Sequence, residues 1–89
     1  LTAITLRIVN EKGLHARASA RFVEVVERHD ASARVSRDGM TVSGDSIMGL
    51  LMLGASRGTT IEVVTSGPDA DSLAQALADL VAAKFGEDY

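Results

Sequence analysis

The sequence predicts a two-layer α+β domain, one β-sheet with helices packed on a single face. Three observations lead there. Several short stretches alternate apolar and polar residues, as half-buried strands do. Others repeat apolar residues at helical spacing. Between two of the alternating stretches, Asp38-Gly39 is a strong hairpin signal, because Gly accepts the positive φ such turns need. The predicted order is strand, helix, strand, strand, helix, strand, helix.

Each element follows from its residues. Ile4, Leu6 and Ile8 alternate with Thr5 and Arg7 in the first strand, and Asn10 to Gly13 form a polar connection. Ala18, Phe22, Val25 and Val26 then share one helical face, and this helix should end near Arg28 to Asp30. Ala33 and Val35 belong to the second strand, Met40 and Val42 to the third. Ser46 before the apolar run Ile47 to Leu53, and Gly54 after it, are start and stop signals for a short helix. Periodicity alone leaves a buried strand open there. Thr60 to Thr65 is β-rich, with Ile61 and Val63 on one face. Gly67-Pro68-Asp69 opens the last helix, whose stripe is Leu73, Leu77, Leu80 and Val81. The residues Gly86 to Tyr89 are expected to fray. Thr5, Arg7, Arg34 and Glu62 should face water, whereas Val9 and Val64 fit neither face.

Length and composition bound the function. The 89 residues suffice for one domain, spanning 1–89. A chain this short buries roughly 60–65% of its unfolded surface. Its core must come mainly from aliphatic residues, since there are two Phe, one Tyr and no Trp. No cysteine is present, which removes disulfides, thiolate metal sites and a thiol nucleophile and agrees with a reducing compartment. A net charge of −3 without a basic stripe or stacking aromatics argues against nucleic-acid binding. No apolar run reaches the roughly 18 residues of a membrane span, and no secretory signal is expected. No carboxylate pair, Gly-rich nucleotide loop or metal-ligand spacing stands out, so neither metal nor cofactor is expected.

The informative segment is Gly13-Leu14-His15-Ala16-Arg17-Ala18-Ser19, where the first loop enters the first helix. The first N–H groups of a helix lack internal partners and, with the dipole, make an anion site. A His there can present a ring nitrogen to solvent, with an added phosphoryl group lying against free amides such as that of Ala16. The dipole should keep the ring neutral and nucleophilic. Arg17 can bring a guanidinium to phosphate oxygens. Against this stands the ordinary role of a lone His near a helix start, as a cap or a surface residue. His29, at the far end of the same helix, fits a favourable dipole contact. Met48 and Met52 are ordinarily core fillers, but so short a helix must expose one face.

Gly13-Leu14-His15-Ala16-Arg17 resembles the active-site signature of the HPr family, the histidine phosphocarriers of the bacterial phosphotransferase system. Ser46-Ile47-Met48-Gly49-Leu50-Leu51 resembles that family's regulatory-serine helix, at the expected separation. The element order matches over essentially the whole chain. The resemblance implies an open-faced sandwich, an antiparallel sheet of order 1-4-2-3 with three helices on one face. It implies a cytoplasmic, monomeric carrier without turnover of its own, in which His15 accepts a phosphoryl group on Nδ1 from enzyme I, charged by phosphoenolpyruvate. The group then passes to a IIA-type domain. Arg17 would steady it, and Ile47, Met48 and Leu51, with Ala20, would form the apolar docking surface. Ser46 would be the target of a serine kinase and phosphorylase in lineages that have them.

The chain also departs from the family pattern. Ala18 stands where a Pro often follows the Arg, and Glu24 and Glu27 stand where sugar-branch members tend to be neutral or basic. Leu50-Leu51-Met52-Leu53 resembles the nitrogen-branch paralogue NPr at least as well, so the residues leave sugar and nitrogen branches open. Two other functions compete. A purely regulatory module would dock through the Ser46 helix, against which His15 and Arg17 argue. A ferredoxin-like ligand-binding domain would predict a pocket or a dimer sheet and nothing special at His15.

Overall fold

The computed structural model describes residues 1–89. The elements are β1 (Thr2–Arg7), α1 (Ala16–Glu27), β2 (Ser32–Arg37), β3 (Met40–Ser43), α2 (Ile47–Met52), β4 (Thr60–Ser66) and α3 (Ala70–Ala82). A short 3-10 turn, Lys84–Gly86, follows. The four strands form one antiparallel sheet of order β1-β4-β2-β3, with the three helices against one face.

The alternation of each strand is matched by its register. Ile4 pairs with Val63, Val63 with Val35 and Val35 with Val42, so one apolar row crosses all four strands on the helix side. The next row, Thr5, Glu62, Ser36 and Thr41, faces water, and the Ser36 and Thr41 hydroxyls lie 2.9 Å apart. A one-residue slip would exchange these rows, which fixes the pairing. Val64 lies on the open face between Ala3 and Arg34 and is 37% exposed. Its apolar side chain is a surface residue, and the alternation holds at its neighbours.

The hairpin forms as its turn chemistry dictates. Asp38 and Gly39 both take positive φ, 50° and 82°, and bring Arg37 opposite Met40. Arg37 points to the helix side, where its guanidinium donates a 3.0 Å bond to the Leu53 carbonyl at the end of α2. Met40 departs from the expected inward alternation. It is 41% exposed at the start of the edge strand, and only Val42 contributes to the core.

Phe22 of α1 and Leu73 and Leu77 of α3 are fully buried against Val35, Ile61 and Val63 of the sheet, with Leu50 beneath α2. The expected fraying after α3 does not occur. Phe85 is fully buried in the same core, and the Glu11 amide donates a 2.9 Å bond to the Tyr89 carbonyl. A buried aromatic ring outweighs the local entropy of a chain end, so the segment docks.

Candidate functional site

The site is built on the connection from β1 to α1. Asn10 is fully buried and its amide donates a 2.8 Å bond to the Gly13 carbonyl, closing the loop. Gly13 takes φ 68°, and a Cβ there would lie 2.6 Å from the Ala55 carbonyl oxygen, so only glycine fits. The Leu14 amide donates to that same carbonyl at 2.9 Å. The loop is thereby pinned to the segment after α2, and Leu14 is buried beneath it.

His15 is the N-cap of α1, extended at φ −78° and ψ −175°, and its side chain caps nothing. The Ser19 amide donates to the His15 carbonyl at 2.8 Å, and Ala16 and Arg17 are exposed at the open helix end. The imidazole is 26% exposed. No ion pair engages Arg17, so its guanidinium is available to a ligand. His15, Ala16 and Arg17 therefore come together as their sequence spacing suggests.

Glu87 is the residue that sequence reasoning missed. Its Oε2 meets His15 Nε2, and its Oε1 accepts a 2.9 Å bond from the Asn10 side-chain amide. These contacts hold its carboxyl below the ordinary glutamate range. The Asn10 bond contributes most, burial opposes it, and the His15 bond with the nearby charges of His15 and Lys12 add to it. A cleft beside it is lined by Lys12, Arg17, Arg21, Asp88 and Tyr89. The available sequence signal was Phe85-Gly86, a large apolar residue followed by a turn residue, which marks an anchored segment.

The second motif stands on α2. Ser46 is its N-cap, with Oγ accepting the Gly49 amide at 3.0 Å. Ile47 is 41% exposed, Met48 69% and Met52 65%, so both methionines are surface residues and core filling falls to Leu50. Leu51 and Ala20 are half-buried, and α1 and α2 pack against each other. His29 donates from Nδ1 to the Val25 carbonyl at 2.8 Å, a helix-end contact apart from the site. Among Asp, Glu and His there is no group of three placed to hold a metal ion.

Fold and site define a small open-faced sandwich that presents one histidine at an uncapped helix N-terminus. Residues 2–83 match the family model described as PTS HPr component phosphorylation site. The chain is 42% identical to phosphocarrier protein HPr of Neisseria meningitidis serogroup A over 83 residues, 93% of each chain. It is 39% identical to phosphocarrier protein NPr of Shewanella violacea over 80 residues, covering 90% of this chain and 88% of that one. The crystal structure of HPr-C-His from Thermoanaerobacter tengcongensis superposes with a TM-score of 0.94 over the whole of both chains, at 36% identity. The chain belongs to the HPr family. Proteins of this family are phosphocarriers of the phosphotransferase system and not enzymes.

Proposed function

We propose that residues 1–89 act as one HPr-like domain in which His15 is the phosphoryl acceptor, charged by enzyme I and discharged to a IIA-type domain. The observation that carries this reading is the uncapped start of α1, with a partly exposed imidazole at its N-cap and an unpaired Arg17 two residues on. The exposed amide end supplies donors to a phosphoryl oxygen at Ala16. Arg17 supplies a cation that reaches more than one oxygen. The acting unit is a monomer in this reading, since His15, Arg17, Asn10 and Glu87 come from one chain. The location is cytoplasmic, where phosphoenolpyruvate is available. No helix of the chain is long and apolar enough to cross a membrane.

Partner docking falls on the exposed apolar face of α2, with Met48 as anchor and Ile47, Leu51 and Ala20 around it. Exposed large apolar groups beside a reactive residue are the ordinary make-up of an interface centre. Ser46 borders that face. Its phosphorylation by a serine kinase would add about −1.5 to −2 charges at a helix N-terminus, which the dipole tolerates. The fold would survive, while an acidic partner surface would be repelled.

Incubation with enzyme I and phosphoenolpyruvate tests the reading. One phosphoryl group should appear, labile in acid and stable in base. A pure docking module would bind without labelling. A ligand-binding domain of the ferredoxin-like kind would do neither.

A further inference from the structure

All the sulfur of this chain lies at its surface. There are three methionines and no cysteine. Met48 is 69% exposed, Met52 65% and Met40 41%, and none of them belongs to the core. We propose that Met48 and Met52 form a reversible oxidation site, at which a hydroperoxide converts the two thioethers to sulfoxides and weakens partner docking on α2. This rests on the exposed face of α2 being the docking surface, and it adds a modification to that reading.

Three observations support it. Met48 and Met52 stand four residues apart in α2, so they follow one another on one side of the helix. Met52 thereby extends the face of Met48 by a turn. The helix is also held independently of both sulfurs. Leu50 is fully buried and Leu53 is buried beside it, the Ser46 hydroxyl caps the start, and Arg37 donates to the Leu53 carbonyl at the end. Oxidation of the exposed thioethers leaves each of these contacts in place. Finally, no thiol in the chain competes for oxidant, so the chemistry falls on methionine, and the exposed pair on α2 is the most accessible. Met40 is less exposed and stands on the edge strand β3 instead.

The step is a two-electron oxidation that balances between thioether and peroxide. A lone pair on sulfur attacks the hydroxyl oxygen of the hydroperoxide. The S–O bond forms as the O–O bond breaks, and the proton of the transferred oxygen passes to the departing one, which leaves as water or an alcohol. Sulfur is oxidised and the peroxide is reduced. The flexible apolar side chain becomes a polar one. Its new oxygen accepts hydrogen bonds strongly, so burying it against an apolar partner surface carries a desolvation cost that the thioether does not. A sulfoxide reductase reverses the step, as two thiols supply the electrons and close to a disulfide while the oxygen leaves as water. His15 and Arg17 stand on α1 and take no part in it.

The test treats this protein alone with hydrogen peroxide, removes the peroxide, and then measures phosphorylation by enzyme I and phosphoenolpyruvate. Peptide mass spectrometry should find sulfoxide at Met48 and Met52 before Met40. The KM of enzyme I for the oxidised protein should rise about tenfold, the scale of one interface anchor lost, while kcat and thermal melting hold. Methionine sulfoxide reductase should restore the original KM. A double variant, Met48→Leu with Met52→Leu, keeps an apolar face of similar volume. It should be phosphorylated much as wild type is and show no rise in KM after peroxide. An unchanged KM with both sulfoxides in place, an equal rise in the double variant, or unfolding on oxidation would overturn the proposal. Met48→Asp separates this failure from that of the docking reading. A KM raised in Met48→Asp but not in the oxidised protein would remove the oxidation site alone, whereas an unchanged KM in both would remove the docking surface with it.

Discussion

The starts of α1 and α2 share one backbone plan and differ in what they do with their free amides. Both are entered through an extended residue, His15 at φ −78° and Ser46 at φ −113°. Ser46 turns its hydroxyl back onto the Gly49 amide at 3.0 Å and so closes its helix. His15 turns its ring away, toward Glu87, and leaves its helix open. A cap contributes about 1 kcal/mol, so an open helix end gives up stability. At α1 that loss is made good by the pinned loop beneath it, through Gly13, Leu14 and the buried Asn10. The difference teaches that one helix start leaves its amides open, as the proposed phosphoryl site requires, while the other closes them, with any regulatory use of Ser46 added to an intact cap.

The contrast can be broken first at the loop. Gly13→Ala puts a Cβ against the Ala55 carbonyl and forces a strained φ, so it should cost about 3 kcal/mol in denaturant unfolding. Wild-type stability would mean that the loop does not support α1.

Arg17→Ala should slow phosphotransfer by about tenfold to a hundredfold, the scale of one charged hydrogen bond. Melting should be unchanged, since no protein group holds the guanidinium. An unaltered rate would make Arg17 a surface residue only.

At the other helix start the balance should reverse. Ser46→Ala should lose about 1 kcal/mol of stability and keep its transfer rate. Ser46→Asp should keep stability, because Asp also caps, but accept phosphate from enzyme I more slowly. A normal rate in Ser46→Asp would leave Ser46 as a cap alone. Met48→Asp should weaken enzyme I binding with little effect on folding, as expected for a side chain 69% exposed. Unfolding of that variant would place Met48 in the core.

The smallest effect concerns pH. The folded pKa of Glu87 is depressed, so its contribution is full above the ordinary glutamate value and is lost as pH falls through the lowered one. The groups facing it are His15, Lys12 and Asn10, with Glu11, Arg17, Arg21 and Asp88 lining the same cleft. Wild type should melt above Glu87→Gln at neutral pH, and the gap should narrow as pH falls below the ordinary glutamate value and close once it is below the lowered one. A gap independent of pH would mean that the carboxylate charge contributes nothing.

Most of the fold was legible because period and register act locally. Ile4, Val63, Val35 and Val42 announce one face by alternation alone, and Asp38-Gly39 announces its turn. The strand order was available only through the family resemblance, since alternation says which face is buried but not which strand is next. The placement of His15, Arg17 and Ser46 at helix starts was legible because a helix start is a short sequence pattern, while the roles proposed for them came through the family resemblance. Glu87 was not. It lies 72 positions from His15, and only the buried Phe85 and the left-handed turn bring the two together. The same long-range packing overturned the expected fraying, and Met40 escaped its alternation because an edge strand has no neighbour to cover it.

The most direct measurement is localisation of the phosphoryl group after reaction with enzyme I and phosphoenolpyruvate, by mass spectrometry of peptides kept in base. One group should be found on the peptide containing Gly13 to Arg17, none on the peptide containing Ser46, and none on a His15→Ala protein that folds normally. Full labelling of His15→Ala, or a wild-type protein left unlabelled by active enzyme I, would contradict the assignment of His15 as the acceptor.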